Sequence, residues 1–336
     1  MSQIIDWDVA ARVGAALLRP GPKLTASERA AAVTRLRVAA GRAAELVAEA
    51  SRLPAAEAAT HGTTLVVDRA GVVRANATAM SMVLDGLTED EVSRLMSLLQ
   101  AAGAKVTGTG AGVVLAVIAS AILGQYEPFS DRLLLSAPTV EAVRAEIGAS
   151  PDDFALWVCL HEQTHRHQFS AAPWMRDYMR GLVRTAVARD DGMPEPDATP
   201  VDGLGVVGVV ADDRLKALFS NVTALMSLLE GYADMLMDTA GAALMPSLPT
   251  IRAQVDARRR VKKYDVASLL RRAFGFQAKI DQYVVGKSFC QAVSQQAGMD
   301  GLNVAFTSRD TLPTMGELHH PDQWVARCLP SIGAAA

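Results

Sequence analysis

The sequence predicts a mainly α-helical chain with a minor β element, an α+β fold in which helices dominate. Three observations carry this. Alanine, the strongest helix former, is abundant along the chain. Helix-start signals recur: Thr25 with Glu28, Thr88 with Glu91, and Ser150-Pro151-Asp152-Asp153. Strand signals are few and short, confined to TTLVVDRAGVVRAN and to Leu133–Leu135.

Taken in order, Trp7 to Leu18 reads as a short amphipathic helix stopped by Pro20-Gly21-Pro22. Thr25 and Glu28 form a capping box that opens a long alanine-rich helix to about Leu53, with its arginines and glutamates on a solvated face. Val66-Val67 and Val72-Val73 then flank a turn at Asp68 to Gly71, the pattern of a β-hairpin. Asn76 is placed to cap a helix ending near Asp85-Gly86, and Thr88 with Glu91 to start another ending at Gly103. From Val106 to Tyr126 no residue is charged, which is long enough for a membrane span. Gly108, Gly110 and Gly112 break its first third, however, and the apolar remainder, Val113 to Leu123, is too short to cross a bilayer. A buried helix behind a glycine-rich turn is expected. The GTGAG run lacks a Gly-Lys-Ser/Thr ending and is no phosphate loop.

Leu133 to Leu135 read as a buried strand before a helix at Ser136-Ala137-Pro138. Ser150-Pro151-Asp152-Asp153 then starts a helix of about five turns, to Phe169, with proline at its first position and acids at the positive dipole end. Pro173-Trp174 begins the next, to about Arg189. The stretch 190–212, with Pro194, Pro196, Pro200 and several glycines, reads as a long loop. Asp212 or Asp213 caps a helix to Leu244. Further helices are expected around Ile251–Lys263, Val266–Ala273 and Gln277–Ala297, then a wrapped tail with a final short helix.

Half of the 336 residues are hydrophobic, 21% are charged and the net charge is −3, a soluble globular profile with no electrostatic case for binding nucleic acid. Cys159, Cys290 and Cys328 are odd in number and far apart, which excludes a disulfide framework and suits a reducing, cytoplasmic setting. The first residues lack the basic start of an export signal.

The chemistry concentrates at Leu156–Phe169, LWVCLHEQTHRHQF, which contains the pattern H-E-x-x-H at His161, Glu162 and His165. Residues four apart share a helix face, so both imidazoles can address one metal ion, with Glu162 beside them as base. Two histidines and a glutamate on a helix this apolar are costly without partners. The competing reading is a pair of hydrogen-bonded structural histidines. A third metal ligand must come from elsewhere. His319 and His320 lie in a proline-bounded tail and are hard to aim. Glu230, a lone acid in the apolar helix SLLEGYADMLMD, is the better candidate, with an ordinary salt bridge as its alternative role. Asp234, one turn later, is placed to accept the other ring N–H of His161. His167 projects about 200° away from His165 and is excluded from the same ion, whereas Gln168 returns to the His161 side. Tyr178, Tyr283 and Arg258 are candidate donors to an oxyanion, with no basis for choosing among them.

H-E-x-x-H followed by E-x-x-x-D on a later helix resembles the gluzincin branch of the zincin metallopeptidases. More narrowly, LWVCLHEQTHRHQF, APWMRDYM, SLLEGYADMLMD, QYVVGKSF and LPTMGELHHPDQWVARC resemble the zincin-like hydrolases associated with deazaflavin-cofactor biosynthesis. The resemblance implies a zincin-like fold, zinc as cofactor, His161, His165 and Glu230 as ligands and Glu162 as catalytic acid/base. No motif residue is missing. One domain over 1–336 is expected, with N-terminal helices at 1–60, metal-binding helices at 150–170 and 212–244, and a helical C-terminal part at 250–336. The expected function is zinc-dependent hydrolysis of a peptide or amide bond. A metal-binding scaffold without proteolytic activity, or a hydrolase of a small amide or cofactor intermediate, are the alternatives.

Overall fold

The structure, a computed structural model, describes residues 6–54, 62–84, 87–94, 108–187, 213–242, 244–261 and 281–330. It is mainly helical with one small sheet, as the sequence predicts. Helix α1 (Trp7–Ala16) is capped by Asp6, whose carboxylate accepts the Val9 N–H at 2.8 Å. Helix α2 (Ala26–Ser51) carries the expected capping box, in which Thr25 and Glu28 satisfy one another's free backbone N–H groups.

The hairpin expected over residues 64–74 does not form. Strand β1 (Thr63–Val67) is followed at once by helix α3 (Arg69–Leu84), so Val72 and Val73 are helical and fully buried. The deciding residue is Asp68. Its carboxylate accepts the Gly71 N–H at 2.6 Å, making it a helix cap where a hairpin turn was expected. Asn76 accordingly lies inside α3 and donates to Val72 O and Gln125 Oε1. The Thr88–Glu91 capping box is present, over a helical segment at 89–94; its predicted end at Gly103 lies outside the described residues.

Helix α4 (Gly108–Ala121) corrects a second expectation, since its glycines lie within the helix and do not break it. A Cβ on Gly112 would stand 2.8 Å from both Ala10 O and Val13 Cβ. Gly112, with Gly14 across from it, lets α4 press directly on α1. Only one face of α4 is buried, through Leu115, Ala116 and Ala119, while Val113, Val114 and Val117 are 39–46% exposed. With Ala10, Val72, Val73 and Ala77, the buried Leu115 and Ala119 form a small hydrophobic cluster of α1, α3 and α4.

Strands β2 (Gly124–Glu127) and β3 (Arg132–Ser136) complete a sheet of order β1-β3-β2. β1 runs parallel to β3, with Leu65 opposite Leu134, and β2 runs antiparallel, with Gln125 opposite Leu134. Leu133, Leu134 and Leu135 are at most 1% exposed, so the central strand is buried on both faces. Helices α5 (Ala137–Ile147), α6 (Pro151–Ala171), α7 (Trp174–Val187), α8 (Asp213–Gly241), α9 (Leu248–Val261) and α10 (Asp281–Asn303) follow. Short 3-10 turns, α11 (Met315–His319) and α12 (Pro321–Cys328) then wrap the C-terminal end. The loop expected at 190–212 and the helix at Val266–Ala273 lie outside the described residues.

The large core surrounds α6, which packs against α2 on one side and α8 on another. Helix α10 crosses α8 at Gly231 and Gly286, where the two backbones meet with no room for a side chain. Tyr232 from α8 donates to Asn303 Oδ1 at 2.9 Å, and Asn303 in turn donates to Ser51 O at 2.8 Å, tying three helices together. Among the described residues, no helix is long and apolar enough to cross a membrane.

Candidate metal centre

The position of α6 follows from its own sequence. Pro151 occupies the first turn and Asp152 and Asp153 sit near its positive end, as predicted, although Ser150 makes no side-chain cap. Instead, Asp153 accepts hydrogen bonds from the Ser247 hydroxyl (2.5 Å) and N–H (3.3 Å), which fixes the start of α6 to the start of α9. Every residue from Phe154 to Leu160 is buried. Against that background His161 and His165 stand out, with side chains 21% and 14% exposed.

Glu230 arrives from α8 to meet them. Its carboxylate oxygens lie 3.4 Å from His161 Nε2 and 3.6 Å from His165 Nε2, and the two Nε2 atoms are 3.2 Å apart. All three residues offer ligand atoms within 4.8 Å of one another. A tetrahedral ion with bonds of about 2.0 Å demands ligand atoms ~3.3 Å apart, so these separations fit one small divalent cation. The donor set, two imidazole nitrogens and one carboxylate oxygen, is also the one expected for a catalytic zinc site.

The ring of His165 is held in one tautomer by Gln168. The buried Gln168 amide donates from Nε2 to Leu229 O at 3.1 Å, so its Oε1 must accept from His165 Nδ1, 2.9 Å away. The Nδ1–H of His165 is thereby engaged, and the Nε2 lone pair faces the cluster. Leu229 is the neighbour of Glu230, so a single amide aligns the two helices that supply the ligands.

Glu162 is 7% exposed and lies against β2. Its carboxylate accepts the Tyr126 N–H, and Gly124 presses on its stem, where a Cβ would stand 2.6 Å from Glu162 Cγ. Burial pushes the Glu162 carboxyl up to about 7, opposed by His161 and reinforced by Glu230. Burial alone would lower His161, but the hydrogen bond and charge of Glu230 outweigh it and raise the imidazole to about 9. For His165, burial wins and its pKa falls.

Asp234 is placed differently from expectation. It faces Arg252 of α9, with Oδ1 3.6 Å from Nη1, and the Asp234 carbonyl accepts from Arg252 Nη2 at 2.7 Å. Arg252 also pairs with Asp238, which Lys287 contacts as well. The influence of Asp234 on His161 is electrostatic, favouring the charged imidazole. His167 is fully buried and bonds through Nδ1 to Gln163 O at 2.8 Å, away from the metal group as its helical position required. His319 and His320 are exposed in the tail. Of the candidate oxyanion donors, Arg258 is paired with Glu146 at 3.2 Å and Tyr178 packs against Trp174 and Arg309; the Tyr283 side chain lies outside those described. Sequence reasoning missed Gly124 and the Tyr126 N–H, both set beside Glu162 by the sheet.

Two comparisons with known proteins give matches. A family profile described as zincin-like metallopeptidase matches residues 5–325. A crystal structure from Chloroflexus aurantiacus, described as a candidate hydrolase with a novel fold, is similar over 96% of this chain and 98% of its own, with 26% identity and a TM-score of 0.70. No curated protein matches the chain.

Proposed function

The chain belongs to the zincin-like metallopeptidase family, and from that premise we propose that it is a zinc-dependent hydrolase of a peptide or amide bond. In this reading His161, His165 and Glu230 hold the ion and Glu162 is the catalytic acid/base. The supporting observation is the triangle of ligand atoms at 3.2, 3.4 and 3.6 Å, drawn from two helices far apart in sequence. Both the family and the C. aurantiacus neighbour support a hydrolase.

Bound there, a divalent metal supplies Lewis acidity and makes a water acidic enough to attack at neutral pH. The residues do the rest. Glu162, one residue from His161 and raised to about 7, accepts the proton of the attacking water and returns it to the leaving amine. The Tyr126 N–H and the wall at Gly124 hold its carboxylate in place. Gln168 keeps His165 in the tautomer that presents Nε2. Asp234 contributes negative charge that favours cation binding near His161. The presence of Glu162 beside a complete ligand set favours an enzyme over a metal-bound scaffold.

The substrate class in this reading is a peptide or small amide, and the tie to deazaflavin-cofactor biosynthesis rests on motif resemblance. A cytoplasmic location belongs to the same proposal and rests on free cysteines, two of them buried. So does a single-domain reading, in which α3 joins the smaller hydrophobic cluster to the sheet through β1 and β3. The test is Glu162→Gln in zinc-loaded protein challenged with a diverse peptide and amide library. Zinc content should be kept and turnover should fall by about 10²- to 10⁴-fold. Turnover equal to the parent's would refute the assigned base.

A further inference from the structure

Behind the metal helix lies a second polar site. Gln163 is two residues from both His161 and His165, so it points to the opposite side of α6. There, α2, β1 and α6 enclose a cavity of about 240 Å³ lined by Arg37, Ala40, Gly41, Thr64 and Gln163. We infer that this cavity binds a small oxyanion, a phosphate or carboxylate group, held by Arg37, Thr64 and Gln163 in front of the buried Arg166.

Arg166 supplies the first reason. It is 1% exposed, yet among the described residues its hydrogen bonds reach no carboxylate. Among the described residues its guanidinium donates to neutral oxygens: Thr63 O, Thr64 Oγ1 (3.3 Å) and Gln163 Oε1 (3.3 Å). Its Nε is buried with no acceptor among the described residues. Asp131 acts on Arg166 only at a distance, so the buried guanidinium has no carboxylate in direct contact, and two of its three acceptors line the cavity.

The lining supplies the second reason, because every free group on it donates. Thr64 Oγ1 accepts from Arg166, which leaves its own hydroxyl proton to give. Gln163 uses Oε1 for Arg166 and one Nε2 proton for Ala40 O at 2.9 Å, leaving its second N–H. Arg37 is exposed and has no ion-pair partner among the described residues. No carboxylate lines the cavity. One cation on the lining, a second behind it, a hydroxyl and an amide N–H, with no acid on the lining, select an anion over a metal ion or a neutral ligand. At Gly41 a side chain would meet nothing within 4 Å, so the helix backbone leaves the mouth of the cavity open.

The experiment is a thermal-unfolding titration of the full chain with inorganic phosphate and, separately, acetate, each against sodium chloride of equal ionic strength. A ligand that binds only the native state raises Tm in step with its concentration over Kd. A chloride-independent rise with phosphate or acetate is expected, the stronger of the two naming the preferred group. Arg37→Ala, which removes an exposed and unpaired side chain, should weaken the apparent affinity by at least about tenfold. Gly41→Glu, which tethers a carboxylate at the open mouth, should leave the protein folded and insensitive to the added anion. A Tm that follows ionic strength alone, or an anion response unchanged in Arg37→Ala, overturns the proposal. Run on chelator-treated protein, in which neither anion can ligate an ion at His161, His165 and Glu230, the test stands apart from the hydrolase reading.

Discussion

Gly124 of β2 lies directly against Glu162 of α6: a Cβ on that glycine would stand 2.6 Å from Glu162 Cγ and 3.0 Å from Cδ. The strand therefore forms a wall that fixes the proposed base, and any side chain at 124 must displace either the strand or the carboxylate. Gly124→Ala should cost about 1–3 kcal/mol in urea unfolding through overpacking. It should also lower turnover by about 10²-fold while zinc content stays stoichiometric, because a shift of about 1 Å is enough to spoil proton transfer. Parent-like stability and turnover in this variant would show that β2 does not constrain Glu162.

The crossing of α8 and α10 positions Glu230. A Cβ on Gly286 would fall inside the Ser227 carbonyl, and one on Gly231 inside the Gly286 backbone. Backbone cannot rotate away as a side chain can, so the helices must part. Gly286→Ala should destabilise by about 3 kcal/mol and weaken zinc binding as well, since Gly231 adjoins Glu230. Gly181, also helical, has nothing within 4 Å of its would-be Cβ. Gly181→Ala should instead stabilise by about 0.5–1 kcal/mol. Chemical denaturation of both variants separates steric from propensity effects.

These glycines also mark what the sequence can tell and what it cannot. Helix α6 was legible because its acidic start, its apolar run and its H-E-x-x-H are local and agree. Glu230 was legible as an acid that an apolar helix would not carry without a partner. The valine pairs at 66–67 and 72–73 misled, because a hairpin and a strand followed by a capped helix share that local pattern. The tertiary partner decides between them: β1 pairs in parallel with the distant β3, and Asp68 is released to cap α3. The glycines at 108–112 look like helix breakers until α1 is seen resting on Gly112. Asp234 has the right periodicity to reach His161, but Arg252 arrives from α9 to face it, and no local signal announces that.

Gln168 joins the two ligand helices, accepting from His165 and donating to the Leu229 carbonyl. Gln168→Leu keeps the volume roughly but removes both bonds. His165 then loses the acceptor that fixes its tautomer, and a buried carbonyl loses its donor. Zinc affinity, measured by competition with a chelator, should fall by about 10- to 100-fold. Gln168→Glu restores an acceptor for His165 and should recover part of that loss. Affinity unchanged in the leucine variant would mean that the His165 ring is held by packing alone.

In the metal-free protein a proton does the work of the cation. The His161 imidazole, raised to about 9 by Glu230 against the opposing effect of burial, carries that proton between the ligands. The sign follows directly. A histidine whose folded pKa lies above its ordinary 6.5 stabilises the fold fully below 6.5, and that contribution disappears as pH rises through about 9. Metal binding must expel the same proton, so apparent zinc affinity should rise about tenfold per pH unit between 6.5 and 9 and then level off. Removing the metal with a chelator should lower Tm at every pH, and the drop should widen as pH increases across that window. Calorimetry in buffers of different ionisation enthalpy counts the proton directly, with close to one released per ion at neutral pH. A metal affinity flat with pH, or no proton release, would show that Glu230 does not hold His161 in its charged form.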